Sequence, residues 1–221
     1  MNLLLIAIIV FLGILITFII KHYKVGSDRA ALIFALVIGG ILNVVLTYIF
    51  TGVHVLSFGK TIGFGMQLGG VPLGHLCLCF LLPYAFLAIY LYLNTIRPIQ
   101  KTDKYSLSIS NVLMGLSIAM IFFAYNKALA AVTFSLMLLA LFYIEYRSTL
   151  RFMLSFYRAY LFGLVLFLLI FVPLHLLGLY RYAIPGTIEL TLAYIPFEGF
   201  FYFFTMGLIS VFSYESIKRK R

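Results

Sequence analysis

Apolar residues run along this chain in long stretches that short polar segments separate. Seven stretches are long enough to cross a bilayer, which needs about 20 apolar residues per helix; they cover residues 3–20, 30–51, 71–93, 107–124, 127–145, 157–178 and 191–214. They are too long and too uniformly apolar for the alternating strands of a membrane barrel. The pattern predicts an all-α integral membrane protein with seven transmembrane helices.

Composition supports this prediction and excludes a soluble domain. Of the 221 residues, 64% are hydrophobic and 10% are charged, and the mean hydropathy is +1.14, far above that of soluble proteins. We find no Gly/Ser linker and expect a single membrane domain over residues 1–221. The first span lacks a basic leader and a small-residue cleavage site, so we expect a retained helix.

The basic residues predict the orientation. Thirteen of the 16 Lys and Arg residues follow spans one, three, five and seven, and three lie on the opposite side, namely Lys60, Lys127 and Arg181. This split predicts an N-terminus outside the cell membrane and a cytoplasmic C-terminus. The net charge of +10 then anchors the inner face to anionic lipid, and no soluble basic domain is present to bind nucleic acid.

The sequence also suggests an internal repeat with an offset of 124 residues. Residues 70–94, "GVPLGHLCLCFLLPYAFLAIYLYLN", align with residues 194–218, "YIPFEGFFYFFTMGLISVFSYESIK". The same offset carries span one onto span five and span two onto span six. We therefore expect a 3+1+3 parallel repeat, with half one over 1–98, a linker helix over 105–125, half two over 126–221, and a site between the halves.

Both repeat-ending segments carry a recognisable pattern of proline, aromatic and acidic residues. The first contains Pro72, Leu73, Phe80, Pro83, Tyr84, Ala85, Tyr90 and Asn94, and the second contains Ile195, Pro196, Glu198, Phe201, Tyr202, Tyr214 and Glu215. These motifs resemble those of the membrane lycopene cyclases, a family of fused or heterodimeric carotenoid cyclases. The resemblance covers nearly the whole chain.

The chain departs from that family's pattern at several acidic positions. Gly74 and His75 stand where the family has its first acidic pair, and Gly199 replaces the second acid of the later pair. Leu46 and Thr47 stand where the family has Trp-Asp on the second helix. Within the membrane, Glu198 is the one family acid that this chain retains.

The resemblance implies a cyclisation without cofactor, metal or net redox change. A protonated acid adds a proton to the terminal C=C bond of a linear polyene, the next alkene attacks the cation, and the ring loses a proton. Hydrocarbon surroundings favour the neutral form of a carboxyl group, so Glu198 is the expected general acid. His75 is expected to partner Glu198 across the two halves, as a proton-handling base or a hydrogen-bond acceptor.

Further residues are candidates for the substrate pocket. Phe201 and Tyr202 follow Glu198 at i+3 and i+4, so we expect them on the same helix face as cation stabilisers or pocket walls. Asn43 and Thr47 share a face of the second span, and His175 falls near the depth of Glu198. Each has a plainer alternative, because aromatic stripes usually pack and buried polar groups usually form interhelical hydrogen bonds.

Three function classes remain open. The first is a lycopene cyclase-like enzyme acting on a long apolar isoprenoid or carotenoid; the second is a non-catalytic carotenoid-binding or partner subunit. The third is a small 3+1+3 transporter, although mid-membrane regions with few polar residues beyond Asn43 and Asn111 disfavour a hydrophilic substrate. Homo- or hetero-oligomers are compatible with each class.

Overall fold

A computed structural model describes residues 8–14, 16–17, 28–59, 66–99 and 103–220. The first predicted span is helical at 8–14 and 16–17, which we label α1, and the remainder of that span lies outside the described residues. Leu12 and Ile16 of α1 are buried in an apolar cluster that also contains Leu46 and Leu78.

Six further helices follow in the chain. They are α2 (Arg29–Gly52), α3 (Leu73–Ile96), α4 (Asp103–Phe123), α5 (Ala128–Phe142), α6 (Met153–Leu176) and α7 (Phe197–Lys220), and a π-helical turn (Tyr143–Arg147) extends α5. Each of the six contains a segment long and apolar enough to cross a membrane. The predicted all-α membrane class is confirmed.

Short strands join the helices at one end of the bundle. Strands β2 (Gln67–Leu68) and β3 (Val71–Pro72) form a hairpin before α3, and β5 (Thr191–Leu192) and β6 (Ile195–Pro196) form one before α7. Strands β1 (Leu56–Phe58) and β4 (Tyr180–Tyr182) pair with each other although they are distant in sequence. The β1–β4 pair therefore joins the segment that follows α2 to the segment that follows α6.

The second hairpin explains why the last helix begins later than the predicted span of 191–214. Ala193 and Tyr194 have φ angles of 50° and 66°, as a tight two-residue hairpin turn requires. Pro196 ends β6 directly before the helix, where its missing N–H removes no helical hydrogen bond. Helix α7 therefore starts at Phe197, and the apolar residues before it belong to the hairpin.

Element boundaries recur at one constant spacing in the chain. Helices α2 and α6 begin at residues 29 and 153, and α3 and α7 begin at residues 73 and 197, a difference of 124 in both cases. The hairpin β2–β3 and the hairpin β5–β6 differ by the same number.

Helix α7 packs against α2, α3, α5 and α6 and holds the core together. The Phe86 ring of α3 lies in a gap left by two glycines, because a Cβ atom added at Gly163 or at Gly207 would come within 2.9 Å of the ring. Phe156 and Phe203 complete the packing, with ring centroids 5.6 and 5.5 Å from that of Phe86. This rigid core supports the strand-bearing end of the bundle, where the candidate site lies.

Candidate functional site

A cavity of about 60 Å³ lies between the helices beneath the β1–β4 pair. Its polar lining comes from α2, α3, β4 and α7 and consists of Asn43, Thr47, His75, Cys79, Tyr180, Tyr182 and Tyr202. Its other lining residues are apolar or lack a side chain, namely Phe50, Leu56, Leu82, Leu129, Phe167, Phe171 and Gly199. The lining thus combines polar groups with aromatic and aliphatic side chains.

Helical spacing places the polar residues of α2 and α3 on facing sides. Asn43 and Thr47 are four residues apart on α2, and His75 and Cys79 are four residues apart on α3, so each pair shares one helix face. All four side chains are buried. Because a buried polar group is costly unless it is hydrogen-bonded, the two faces are expected to bond to each other.

One hydrogen-bonded chain crosses from α7 to α3. The Tyr202 hydroxyl donates to Asn43 Oδ1 at 2.6 Å, and Asn43 Nδ2 donates to the Cys79 carbonyl oxygen at 3.2 Å. The predicted pocket residues Asn43 and Tyr202 are therefore joined directly. This contact fixes the orientation of the phenol at the cavity wall.

A second chain centres on His75. Its Nε2 lies 3.0 Å from Thr47 Oγ1, which also lies 3.6 Å from Cys79 Sγ. Its Nδ1 is hydrogen-bonded to the hydroxyl of Tyr180, and the Phe58 ring lies 4.9 Å from the imidazole, between centroids. His75 thus meets Tyr180 rather than Glu198.

Strand β4 brings two tyrosines into the cavity. Ser57 pairs with Arg181 in the β1–β4 register, and Tyr180 and Tyr182 flank Arg181 along the strand. Burial raises the pKa of the Tyr180 phenol well above its ordinary value. Burial, followed by the negative charge of Glu198, raises the pKa of Tyr182 to about 12. Both phenols are neutral at physiological pH.

Glu198 lies beside the cavity, in the first turn of α7. Its side chain is fully buried, and its Oε1 accepts a hydrogen bond from the Ile188 backbone N–H at 2.6 Å. Among the described residues, no group hydrogen-bonds to its Oε2. The next residue, Gly199, lines the cavity, so the carboxyl group lies beside the lining and against the segment between β4 and β5.

Two other predicted residues lie outside the cavity lining. Phe201 turns toward α5, where its ring centroid is 5.1 Å from that of Phe134. His175 is half-buried, and its ring stacks on that of Tyr182 with centroids 6.1 Å apart. The cavity lining thus brings together four of the predicted residues, His75, Asn43, Thr47 and Tyr202. The other three, Glu198, Phe201 and His175, lie around it.

The sequence prediction did not include Tyr180 and Tyr182. They lie between α6 and α7, and only the long-range pairing of β1 with β4 brings them over α3. A signal was present, because the segment "YRY" has aromatic residues at alternate positions, as in a half-buried strand. The offset of 124 also aligns Ser57 with Arg181, the central pair of that register.

Over the described part of the chain, no three His, Cys, Asp or Glu side chains come together as ligands for a metal ion. The polar groups of the cavity are an alcohol, an amide, a thiol, three phenols and an imidazole, several of which can accept or donate protons. The apolar part of the lining can hold a hydrocarbon group next to aromatic rings. The site can therefore combine proton transfer with binding of a hydrocarbon.

A comparison with protein families gives one match. The family model described as lycopene cyclase matches residues 2–93 and again residues 126–217. The two matched segments have the same length and are separated by the offset of 124 seen in the helix boundaries. No curated protein and no solved structure matches the chain.

Proposed function

The chain belongs to the lycopene cyclase family, and on that premise we propose that it cyclises the end group of a linear carotenoid inside the membrane. The reaction is acid-catalysed and involves no net redox change. The observation that carries this proposal is the cavity beneath the β1–β4 pair, which proton-transferring groups line together with Phe167 and Phe171. Such a cavity suits an apolar chain end that becomes a cation, because aromatic faces attract cations.

We propose that the fold is a 3+1+3 parallel repeat, with α4 as the linker. The equal spacing of the helix boundaries and the two family matches support it. The β1–β4 register supports it as well, because Ser57 and Arg181 are 124 residues apart and pair at its centre. A twofold axis through this pair would relate the halves, and the cavity would lie close to it.

Glu198 is the proposed acid. Its Oε2 is buried and makes no hydrogen bond within the described residues, and a buried carboxyl group favours its neutral, proton-donating form. The ionised form that remains after proton donation acts by its charge on Tyr182, which lines the cavity. We infer that the proton enters the cavity on the side of this tyrosine.

The other candidate residues support substrate binding. Asn43, Thr47 and Tyr202 line the pocket; His175 supports it from behind through Tyr182, whereas Phe201 packs on Phe134, away from the lining. Thr47 holds His75 in place.

A second candidate function is carotenoid binding without catalysis, as a partner subunit. One observation favours it: glycines occupy positions 74 and 199, so Glu198 lacks a neighbouring acid. Such a protein would use the same cavity to hold the end of a polyene and would leave the polyene chemically unchanged.

Expression in lycopene-accumulating cells, with the pigments separated by chromatography, tests the proposal. We expect cyclic products from the wild type and at least about a 100-fold loss with Glu198→Gln, the smallest usual contribution of a general acid. Glu189→Gln is the matched control, since Glu189 is largely exposed and paired with Lys127 at 3.5 Å, and it should remain active.

Unchanged lycopene with a well-expressed wild-type protein would contradict the cyclase proposal for this substrate and favour the binding role. Full activity of Glu198→Gln would reject the assignment of the acid alone.

A further inference from the structure

Tyr180 lies where a base for the second half of the reaction is needed. It belongs to strand β4, is 2% exposed and lines the cavity. The Phe171 ring packs edge to face against the Tyr180 ring, with centroids 5.6 Å apart, and also lines the cavity. A hydrocarbon end group in the cavity would therefore meet this phenol beside an aromatic ring.

Both ring nitrogens of His75 are hydrogen-bonded, so this residue is part of a hydrogen-bonded chain and is not a free base. Nδ1 meets the Tyr180 hydroxyl and Nε2 meets Thr47 Oγ1 at 3.0 Å. A neutral imidazole carries one N–H and one lone pair. With the proton on Nε2, His75 donates to Thr47 and accepts from Tyr180, and the phenol oxygen keeps a lone pair for a third partner.

We propose that Tyr180, supported by His75, is the base that removes the ring proton after cyclisation and so determines which ring isomer forms. This inference rests on the proposed function. The cyclic cation loses a C–H proton to the Tyr180 oxygen, and the C–H electron pair becomes the ring double bond. At the same time the phenol O–H proton passes to Nδ1, which leaves an imidazolium.

The cycle closes when the imidazolium returns that proton, through exchange with solvent, to the Glu198 carboxylate. One proton enters the substrate and one leaves, so the product is an isomer of the substrate. A neutral phenol is a sufficient base because a tertiary carbocation is a very strong acid. The raised pKa of Tyr180 is consistent with a phenol that stays neutral between turnovers.

The position of the base has a chemical consequence. A cyclic end-group cation can lose its proton from different carbons, and each loss places the double bond differently, inside or outside the ring. Whichever carbon lies nearest to the base loses its proton fastest, because proton transfer requires hydrogen-bond distance. Tyr180 would thus be a catalytic residue, and His75 and Thr47 would be positioning residues that act through it.

The test is the ratio of ring isomers made by variants in lycopene-accumulating cells, resolved by chromatography and assigned by NMR. Tyr180→Phe removes the oxygen, and we expect the ratio to change by about tenfold or more, equivalent to 1.4 kcal/mol between competing steps. Tyr160→Phe is the matched control, because its hydroxyl donates to the Phe200 carbonyl oxygen at 3.0 Å, outside the cavity lining. It should leave the ratio unchanged.

A pair of substitutions at Thr47 provides an independent readout. Thr47→Ser keeps the hydroxyl that holds Nε2 and should preserve the isomer ratio; Thr47→Val removes it and should shift the ratio in the same direction as Tyr180→Phe. A purely structural role would change the amount of product and not its isomer composition. If Tyr180→Phe fails to accumulate or makes no cyclic product, this pair decides the question.

The outcomes separate the two proposals. No cyclic product from any well-expressed protein, wild type included, would overturn the proposed function and this inference together. Cyclic product with the same isomer ratio in Tyr180→Phe and Thr47→Val would overturn the inference alone.

Discussion

At the scale of single residues, Phe201 and Tyr202 are neighbours in sequence with different surroundings. Tyr202 is hydrogen-bonded to Asn43 at the cavity wall, and Phe201 packs on Phe134 and Phe197. Adjacent helical residues point about 100° apart, so one step along α7 separates a cavity residue from a packing residue.

This difference predicts that two conservative substitutions affect different properties, one the activity and the other the stability. Tyr202→Phe should lower the amount of cyclic product per folded protein by about tenfold, because a lost hydrogen bond worth about 1.4 kcal/mol changes a rate by that factor. Phe201→Leu should leave this ratio unchanged and lower the free energy of unfolding by less than about 1.5 kcal/mol.

Both quantities can be measured on detergent-purified protein, by product analysis and thermal unfolding. If Phe201→Leu lost the activity and Tyr202→Phe kept it, Phe201 would be the residue that contacts the substrate.

The sequence allowed some of the site residues to be predicted and not others. Four of them, Asn43, Thr47, His75 and Tyr202, lie on helices. The 3.6-residue period of a helix determines which residues of one helix share a face, so these positions follow from spacing. Tyr180 could not be placed in this way, because its position depends on a register between β1 and β4 that joins residues more than 120 positions apart. The partner of His75 therefore differed from the expected Glu198.

At the scale of elements, the two hairpins that precede α3 and α7 have equivalent turns made from different residues. The first uses Gly69 and Gly70 at φ angles of 55° and 81°, and the second uses Ala193 and Tyr194 at 50° and 66°. Left-handed conformations cost an L-residue with a side chain roughly 1–2 kcal/mol, and glycine avoids this cost.

We therefore predict that equivalent substitutions in the two turns have opposite signs. Ala193→Gly should raise the free energy of unfolding by about 0.5–1 kcal/mol, since relief of the backbone strain exceeds the entropy that glycine adds to the unfolded chain. Gly70→Ala should lower it by about 1–2 kcal/mol through φ alone, because no atom lies within 4 Å of the added Cβ. Thermal unfolding in detergent measures both, and changes of the same sign would contradict this account.

The same hairpins account for the limits of the predicted helix ends. The apolar run that begins at residue 191 has no polar break before Pro196, so hydrophobicity alone extends the span into the hairpin. The backbone turn at Ala193 and Tyr194 has no glycine to mark it, unlike the first hairpin. Of the seven predicted spans, six correspond to helices of the described residues that are long and apolar enough to cross a membrane, and the first lies partly outside those residues; bilayer thickness sets the length of each span.

At the scale of the whole molecule, the distribution of basic residues predicts which end of the bundle faces the cytoplasm. The cavity, the hairpins and the β1–β4 pair share one end, which holds Arg181 and Lys127, and the segments at the other end hold most of the Lys and Arg residues. Each basic residue near an anionic lipid surface is stabilised by about 1 kcal/mol. The cavity should therefore lie toward the outer face, with the C-terminus inside.

Cysteine labelling in cells tests this orientation. Leu190→Cys, at a 57% exposed position beside the second hairpin, should react with a membrane-impermeant maleimide in intact cells. Arg151→Cys, at an exposed position between α5 and α6, should react only after the membrane is disrupted. The wild type supplies the background, because its two cysteines, Cys77 and Cys79, lie within α3 and are half-buried and buried.

The reverse labelling pattern would show that the cavity lies toward the cytoplasmic face. The polyene would then have to enter it from the cytoplasmic leaflet. Labelling of both positions in intact cells would indicate mixed orientations, which a 13-to-3 charge split should prevent. The expected pattern instead puts the proton-handling groups near the outer interface. There a long apolar chain can keep most of its length in the bilayer core while one end enters the cavity between the helices.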